Sequence, residues 1–322
     1  VNLDFFSWSR AAAPASPRPV ALVVVLAMMF AQSIDFSNGN SSGRALAASA
    51  GGLKTLYDLK RYSQVVENGE KVLTGLKKGD GDWLYTKVLM TAASTKCQPL
   101  LNSTELARQA YEADPANVVV VDNYAALQLL GGDKELAGKL FQKGIQLAAD
   151  DFYGHLGLAE VYAQDPAHGA AAALAELAKA EATSGTGSLS LSEKWLLIGD
   201  RYLLLNEPKM ALAAYLKAED NNKREADRVN QSVFRAALIC GRIDLVSRRR
   251  EAALGGASVM PEIYVLSAAK LCPANAEGEA LARRIYEKAL AASGGDNEYL
   301  YKLGRAFGTG GQNEFGLLCL KK

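Results

Sequence analysis

Trp195-Leu196-Leu197-Ile198-Gly199-Asp200-Arg201-Tyr202 runs into a polar break, Asn206-Glu207-Pro208, and then into Ala211, Tyr215 and Ala218. On each side of the break the apolar residues recur three or four apart, so each side reads as an amphipathic helix and the break as the turn between them. Gly199, Ala211 and Ala218 are small where two helices must approach closely. Trp195, Ile198, Tyr202 and Tyr215 are large and fill the space beside them.

The same spacing recurs along the chain. Aligned on it, successive units begin near Leu46, Leu84, Val118, Phe152, Ser192, Asp227, Ile263 and Asn297, mostly 34 to 36 residues apart. The two longer steps carry insertions, Lys77–Asp82 and Thr183–Ser188. The first unit keeps Val65, Gly69 and Val72 on its packing positions, and the second ends in Ala110 and Asp114-Pro115. The third turns at Gly132-Asp133, and the fourth shows Leu158-Ala159, Tyr162, Ala171 and Ala178. Gly241, Tyr286 and Leu303-Gly304 mark the last three. Pro273 predicts an early end to the first helix of the seventh unit.

This pattern of Trp, aliphatic-Gly, Tyr, then Ala, aromatic and Ala resembles the tetratricopeptide repeat of about 34 residues. The resemblance implies an all-α fold, a right-handed solenoid of helical hairpins over residues 46–322. A lone hairpin cannot bury its apolar face, so each unit packs on its neighbours. Small residues let helices close to about 8–10 Å.

Before the array, Arg10 and Arg18 precede an uncharged apolar run, Val20 to Ala31, and Ser37–Ser42 is a polar linker. Residues 1–45 therefore read as a secretory signal or membrane anchor plus linker. Cleavage after Ser33 or Ala47 fits a signal. As one helix, Pro19–Phe36 would span roughly 27 Å at about 1.5 Å per residue, short of a hydrocarbon core of about 30 Å. A buried core helix is the third reading. The expected location is exported or membrane-anchored, periplasmic or extracytoplasmic in a bacterium.

Net charge is +1, which gives no electrostatic reason to expect nucleic acid. Cys97, Cys240, Cys272 and Cys319 are far apart with no Cys-x-x-Cys pair and read as small packing residues. His155 and His168 are thirteen residues apart, too far for a ligand pair on one helix, and read as surface residues. Gly308-Thr309-Gly310-Gly311 has neither a preceding strand nor a following Lys-Ser/Thr, so it reads as a turn. Arg248-Arg249-Arg250 reads as a solvated helix face. Asn40, Asn102 and Asn230 head glycosylation triplets, which matter only in a eukaryotic secretory setting. These residues point to no enzyme, metal or cofactor.

The family resemblance further implies that first helices line a concave groove. Its groove positions fall on Asp122, Asn123, Tyr153, Glu160, Gln164 and Asp200, then Arg228, Gln231, Arg235, Tyr301, Lys302 and Arg305. That groove would be acidic in the middle and basic toward the C-terminal end, suited to an extended peptide of mixed charge. Leu129, Leu130, Leu196, Leu197, Leu203 and Leu204 would suit a partner helix instead. The Lys/Asn/Arg set that clamps a peptide carboxylate is missing. The expected function is non-catalytic: an adaptor or assembly scaffold holding a protein or peptide partner, tethered through the N-terminal segment. The alternative is a structural accessory subunit of a larger membrane complex. Leu317, Leu318 and Leu320 lack a polar cap and suggest self-association through the C-terminal end.

Overall fold

The computed structural model describes residues 52–97, 101–164, 169–184, 190–221, 226–256 and 259–321. The N-terminal run Val20–Ala31, its linker, Leu46, Asn40 and His168 lie outside the described residues. Among the described residues there are sixteen α-helices and no strand. They are α1 (52–58), α2 (Tyr62–Leu73), α3 (Gly81–Ser94), α4 (Leu101–Ala113), α5 (Val118–Leu130), α6 (Lys134–Leu147), α7 (Phe152–Ala163) and α8 (Gly169–Ala182). Then come α9 (Leu191–Leu204), α10 (Pro208–Asp220), α11 (Ala226–Cys240), α12 (Ile243–Gly255), α13 (Pro261–Lys270), α14 (Ala276–Ser293), α15 (Asn297–Gly310) and α16 (Asn313–Leu320). None is long and apolar enough to cross a membrane among the described residues.

Odd-numbered helices open each hairpin. From the second hairpin on they start at Gly81, Val118, Phe152, Leu191, Ala226, Pro261 and Asn297, each at or within three residues of the start that spacing gives. Capping explains how sharply several begin. Asn117, Asp133, Asp151, Asn275 and Asp296 each accept backbone N–H bonds from the first turn they precede, worth about 1 kcal/mol apiece. Pro208 and Pro261 stand where no N–H partner is needed. Gly132 (φ 90°) and Gly311 (φ 90°) make left-handed turns between helices. The glycines around Thr309 thus form the last turn and cap of α15, not a separate loop. α13 ends at Lys270, three residues ahead of Pro273.

The chain divides into two compact units, Val1–Ser190 and Leu191–Lys322. In the first, hairpin partners α5/α6 and α7/α8 pack most closely, and each even helix also packs on the next odd one. α3 approaches α5 and α5 approaches α7, and α2, α4, α6 and α8 approach one another less. Helices that crowd on one side of a stack and spread on the other put the crowded side on the inside of the curve. The odd helices, whose members lie nearer one another, are termed the inner layer of this unit. The second unit repeats the scheme: α9/α10, α11/α12 and α15/α16 are close pairs, and α11, α13 and α15 adjoin in turn.

Glycine creates the closest approaches. A Cβ on Gly157 would sit 2.3 Å from the Phe141 ring, and one on Gly199 would sit 2.4 Å from the Tyr215 ring. Phe141 and Tyr215 are both fully buried. This is the small-beside-large pattern of the sequence, realised across α6/α7 and α9/α10.

Cys272 and Cys319 are buried, and Cys97 and Cys240 are partly buried; all four are free thiols. Burial pushes Cys272 and Cys319 up to about 11, so both stay protonated at neutral pH.

Candidate binding faces and buried polar clusters

In the first unit the inner helices are buried on every side. Trp83 to Ser94 of α3 and Phe152 to Val161 of α7 are unbroken runs of buried residues, as is Val120 to Leu127 of α5. Four of the expected groove residues, Asp122, Asn123, Tyr153 and Glu160, are buried there. Gln164 is exposed just past α7, where its carbonyl accepts from Lys134 Nζ at 3.4 Å.

Asp122 faces Asp151 in the space that Gly144 leaves open. A Cβ on Gly144 would meet Asp122 Oδ1 at 2.6 Å and Asp151 Oδ2 at 2.9 Å. Asp151 is the N-cap of α7 and accepts from the N–H groups of Tyr153 (3.2 Å) and Gly154 (3.0 Å). Burial, and then the charge of Asp151, raise the Asp122 pKa well above the carboxylate range. With Asp122 protonated, the two facing carboxyls hold one proton between them inside packed helices. Beside them His155 Nδ1 lies 2.7 Å from Glu176 Oε2, and Lys179 Nζ donates to Glu176 Oε1 at 2.7 Å. His155 is therefore a core residue, 6 % exposed, and not the surface residue expected. Its position on an otherwise apolar helix requires a buried partner, which α8 supplies.

The proton has a consequence for stability. A group whose folded pKa is raised contributes its stability below its unfolded value, near 3.8, and loses it as pH rises through the folded value. Asp122→Asn keeps a donor toward Asp151 without a proton to lose. We expect the resistance of the wild type to urea to weaken as pH rises above about 4. The variant should lose that slope and be the more stable protein at pH 8. Parallel pH profiles of the two would rule out the shared proton.

A recess of about 240 Å³ lies among Val66, Glu70, Lys87, Glu105, Leu106 and Gln109. Lys87 Nζ donates to Gln109 Oε1 at 2.9 Å and lies 4.0 Å from Glu70 and 5.5 Å above the Trp83 ring. Burial lowers its pKa, against the opposing pull of Glu70 and Glu105.

In the second unit three expected groove residues meet in one network. Tyr215 O–H donates to Asp200 Oδ1 at 2.6 Å. Arg235 Nη2 donates to the same oxygen at 3.2 Å and to the Tyr215 hydroxyl at 3.1 Å. Arg228 Nη2 stands 3.5 Å from Asp200 Oδ2. Burial, then the Asp200 charge, raise the Tyr215 pKa well above 10, so the phenol remains a donor. Gln231 is buried and its Oε1 accepts the Met260 N–H at 2.9 Å, pinning the start of α13. The expected separation of acidic and basic groove positions is thus revised within this unit. Asp200 is neutralised by Arg228 and Arg235, because successive first helices bring opposite charges into contact. Sequence reading placed Tyr215 as a space-filler and missed its hydroxyl. The signal was available: Asp200 follows the glycine against which Tyr215 packs.

The last inner helix is different. Glu298, Tyr301, Arg305 and Gly308 of α15 are exposed at spacings of three and four, forming one open face. Lys302 is paired with Glu298 and half-buried, and the Arg305 guanidinium lies 6.0 Å from the Tyr301 ring. On α16, Leu317 and Leu320 are more than half exposed. A recess of about 270 Å³ is lined by Asn297, Leu300, Tyr301, Cys319 and Leu320.

The arginine run on α12 is not a free basic patch. Arg249 Nη2 donates to Glu219 Oε2 at 2.5 Å, Arg250 Nε lies 3.4 Å from Glu251, and Glu251 also holds Arg284 at 2.8 Å. Arg248 is exposed. The triplet headed by Asn230 lies inside α11 with Ser232 buried, and that headed by Asn102 lies inside α4 with Ser103 buried. No group of three or more His, Cys, Asp or Glu side chains suits a metal ion among the described residues. No protein-family model and no curated protein matches the chain.

Proposed function

We propose that this protein is a non-catalytic binding scaffold, a right-handed solenoid of the tetratricopeptide kind, that holds a helical segment of another protein. The observation that carries the reading is the open face of α15. Tyr301 is 52 % exposed beside Arg305, and Leu320 lines the same recess as Tyr301. Exposed aromatic, arginine and leucine side chains around a recess are the composition of an interface centre, not of an ordinary solvated face. The partner chemistry that fits is an amphipathic helix: apolar residues for the recess, and a carboxylate for Arg305. The N-terminal run serves as export signal or anchor in this reading and brings the scaffold to a membrane.

The test is Tyr301→Ala combined with Arg305→Glu in the tagged full-length protein, followed by affinity capture from its own membranes and mass spectrometry. Both side chains are exposed, so helix content by circular dichroism should be unchanged. A stoichiometric partner of the wild type should fall at least tenfold. Equal recovery by a folded variant would reject the α15 face as the binding surface.

A second reading, a structural accessory subunit of a larger membrane complex, is favoured by one observation. The inner helices of the first unit have no open face. In that reading the wild-type protein aggregates when purified alone, and the α15 variant behaves no differently.

A further inference from the structure

Glu298, Tyr301, Arg305 and Gly308 form the exposed face of α15. The same places on α11 show what such a face receives. Counted from the unit starts at Asp227 and Asn297, Tyr301 corresponds to Gln231, Arg305 to Arg235 and Gly308 to Leu238. Gln231 and Leu238 are buried. The Gln231 side chain accepts the Met260 N–H at 2.9 Å, Arg235 Nη1 lies 4.0 Å from Met260 Sδ, and the Leu238 carbonyl accepts from Lys270 Nζ at 2.8 Å. All three thus meet the two ends of α13. On α11 this face is a seat for a neighbouring helix, and on α15 the equivalent side chains are exposed.

We propose that the seat on α15 takes α15 of a second copy of this chain, packed antiparallel about a two-fold axis. This rests on the reading of α15 as the binding face and names a helix that fills it. The face is self-complementary in charge. Among the described residues no carboxylate pairs with Arg305, whose guanidinium lies 6.0 Å from the Tyr301 ring. Glu298 gives Oε1 to Lys302 one turn on, which leaves its other oxygen for a second cation. With the axis between Tyr301 and Lys302, Glu298 of each copy faces Arg305 of the other, one contact made twice. Tyr301 lies next to the axis. Its ring can enter the recess of about 270 Å³ that Leu300, Cys319 and Leu320 help to line on the other copy. In the same register Gly308 comes opposite Gly295, so no side chain holds the backbones apart at either end.

A second copy and the helix of another protein then compete for one face. At high local concentration the scaffold pairs with itself. A partner with a larger apolar face and its own carboxylate for Arg305 displaces the second copy. The dimer also takes Tyr301 and Leu320, both more than half exposed, out of water.

The experiment measures the mass of the full-length protein by sedimentation equilibrium in a density-matched mild detergent. A concentration-dependent dimer is expected. Glu298→Arg alone, or Arg305→Glu alone, sets two like-charged pairs across the axis and should raise the dimer dissociation constant at least tenfold. Both side chains are exposed, so the circular dichroism of each variant should match the wild type. Mixing the two variants, each with its own tag, brings opposite charges together again. A mixed dimer should form with close to the wild-type constant and be retained through either tag, which also shows that both variants are folded. A wild type that is monomeric at every concentration would overturn the proposal. So would a dimer that survives both substitutions, since its contact lies elsewhere, or two folded variants that do not associate when mixed. The capture result is read separately, because mass spectrometry reports proteins other than the bait. A monomeric wild type that loses a captured partner on Tyr301→Ala with Arg305→Glu sinks the dimer and keeps the scaffold. A dimer that obeys the charge exchange but captures nothing else keeps the dimer and rejects the helix of another protein.

Discussion

Gly199→Ala is expected to be among the most destabilising single-methyl changes in the second unit, at about 2–4 kcal/mol. The added Cβ would stand 2.4, 2.6 and 2.9 Å from three carbons of the Tyr215 ring. The ring has nowhere to go. Tyr215 is fully buried, and its hydroxyl is fixed between Asp200 and Arg235. Overpacking of this kind costs about 1–3 kcal/mol, and loss of a hydrogen bond to a charged group costs about 1.5–3. Alanine is the better helix former by about 1 kcal/mol, which offsets part of the sum and does not reverse it. Because the chain has two units, the loss should be read from hydrogen exchange in α9 and α10, with α5 and α7 as the internal control. Trimming the obstacle should rescue it. In a Tyr215→Leu background, Gly199→Ala should cost less than about 1 kcal/mol, because the smaller side chain can yield. An unchanged protection pattern in the single variant would refute the packing described for α9/α10.

Arg235→Met should cost about 2–3 kcal/mol in the same unit, and Arg235→Glu more. The guanidinium is 18 % exposed and donates to both Asp200 and Tyr215. Its removal leaves a partly buried carboxylate with Arg228 as its remaining cation, at 3.5 Å. Breaking a fully buried pair costs about 3–5 kcal/mol. The exposure of Asp200, 30 %, lets water take up part of that loss. Arg235→Glu sets a second carboxylate against Asp200 and adds repulsion. A double-mutant cycle with Asp200→Asn should give a coupling of about 1.5 kcal/mol or more; a coupling near zero would mean that the network is ornamental. Reversing Arg228 and Arg235 along with Arg305 would therefore disturb the fold as well as any groove. Of the three, Arg305 is the one that is exposed.

The sequence by itself determined the helices and their pairing. A repeat spacing of 34 to 36 residues, with small residues opposite large ones, leaves few alternatives to stacked hairpins. The N-caps Asn117, Asp151, Asn275 and Asp296 act locally, within three residues, and fix where helices begin. Gly199 was readable as a close approach for the same reason: any large residue on the facing helix would do, so the partner's identity was not needed. Gly157, which makes the equivalent approach to Phe141, was not singled out.

Tertiary structure alone decided what the polar residues do. Asp122, Asp200 and Arg235 occupy equivalent kinds of position on first helices, and nothing local distinguishes an acid bound for solvent from one bound for a neighbour. Asp122 meets Asp151 across the gap at Gly144, Asp200 meets Arg235 thirty-five residues away, and His155 meets Glu176 on the next helix. Charge, burial and protonation are set by those non-local encounters, whose energies depend on separations of a few ångströms. Repeat spacing fixes which helices are neighbours, but it does not fix which side chains touch. The division after Ser190 falls just past the insertion Thr183–Ser188, but the same repeat spacing continues on both sides, and the like insertion Lys77–Asp82 marks no division.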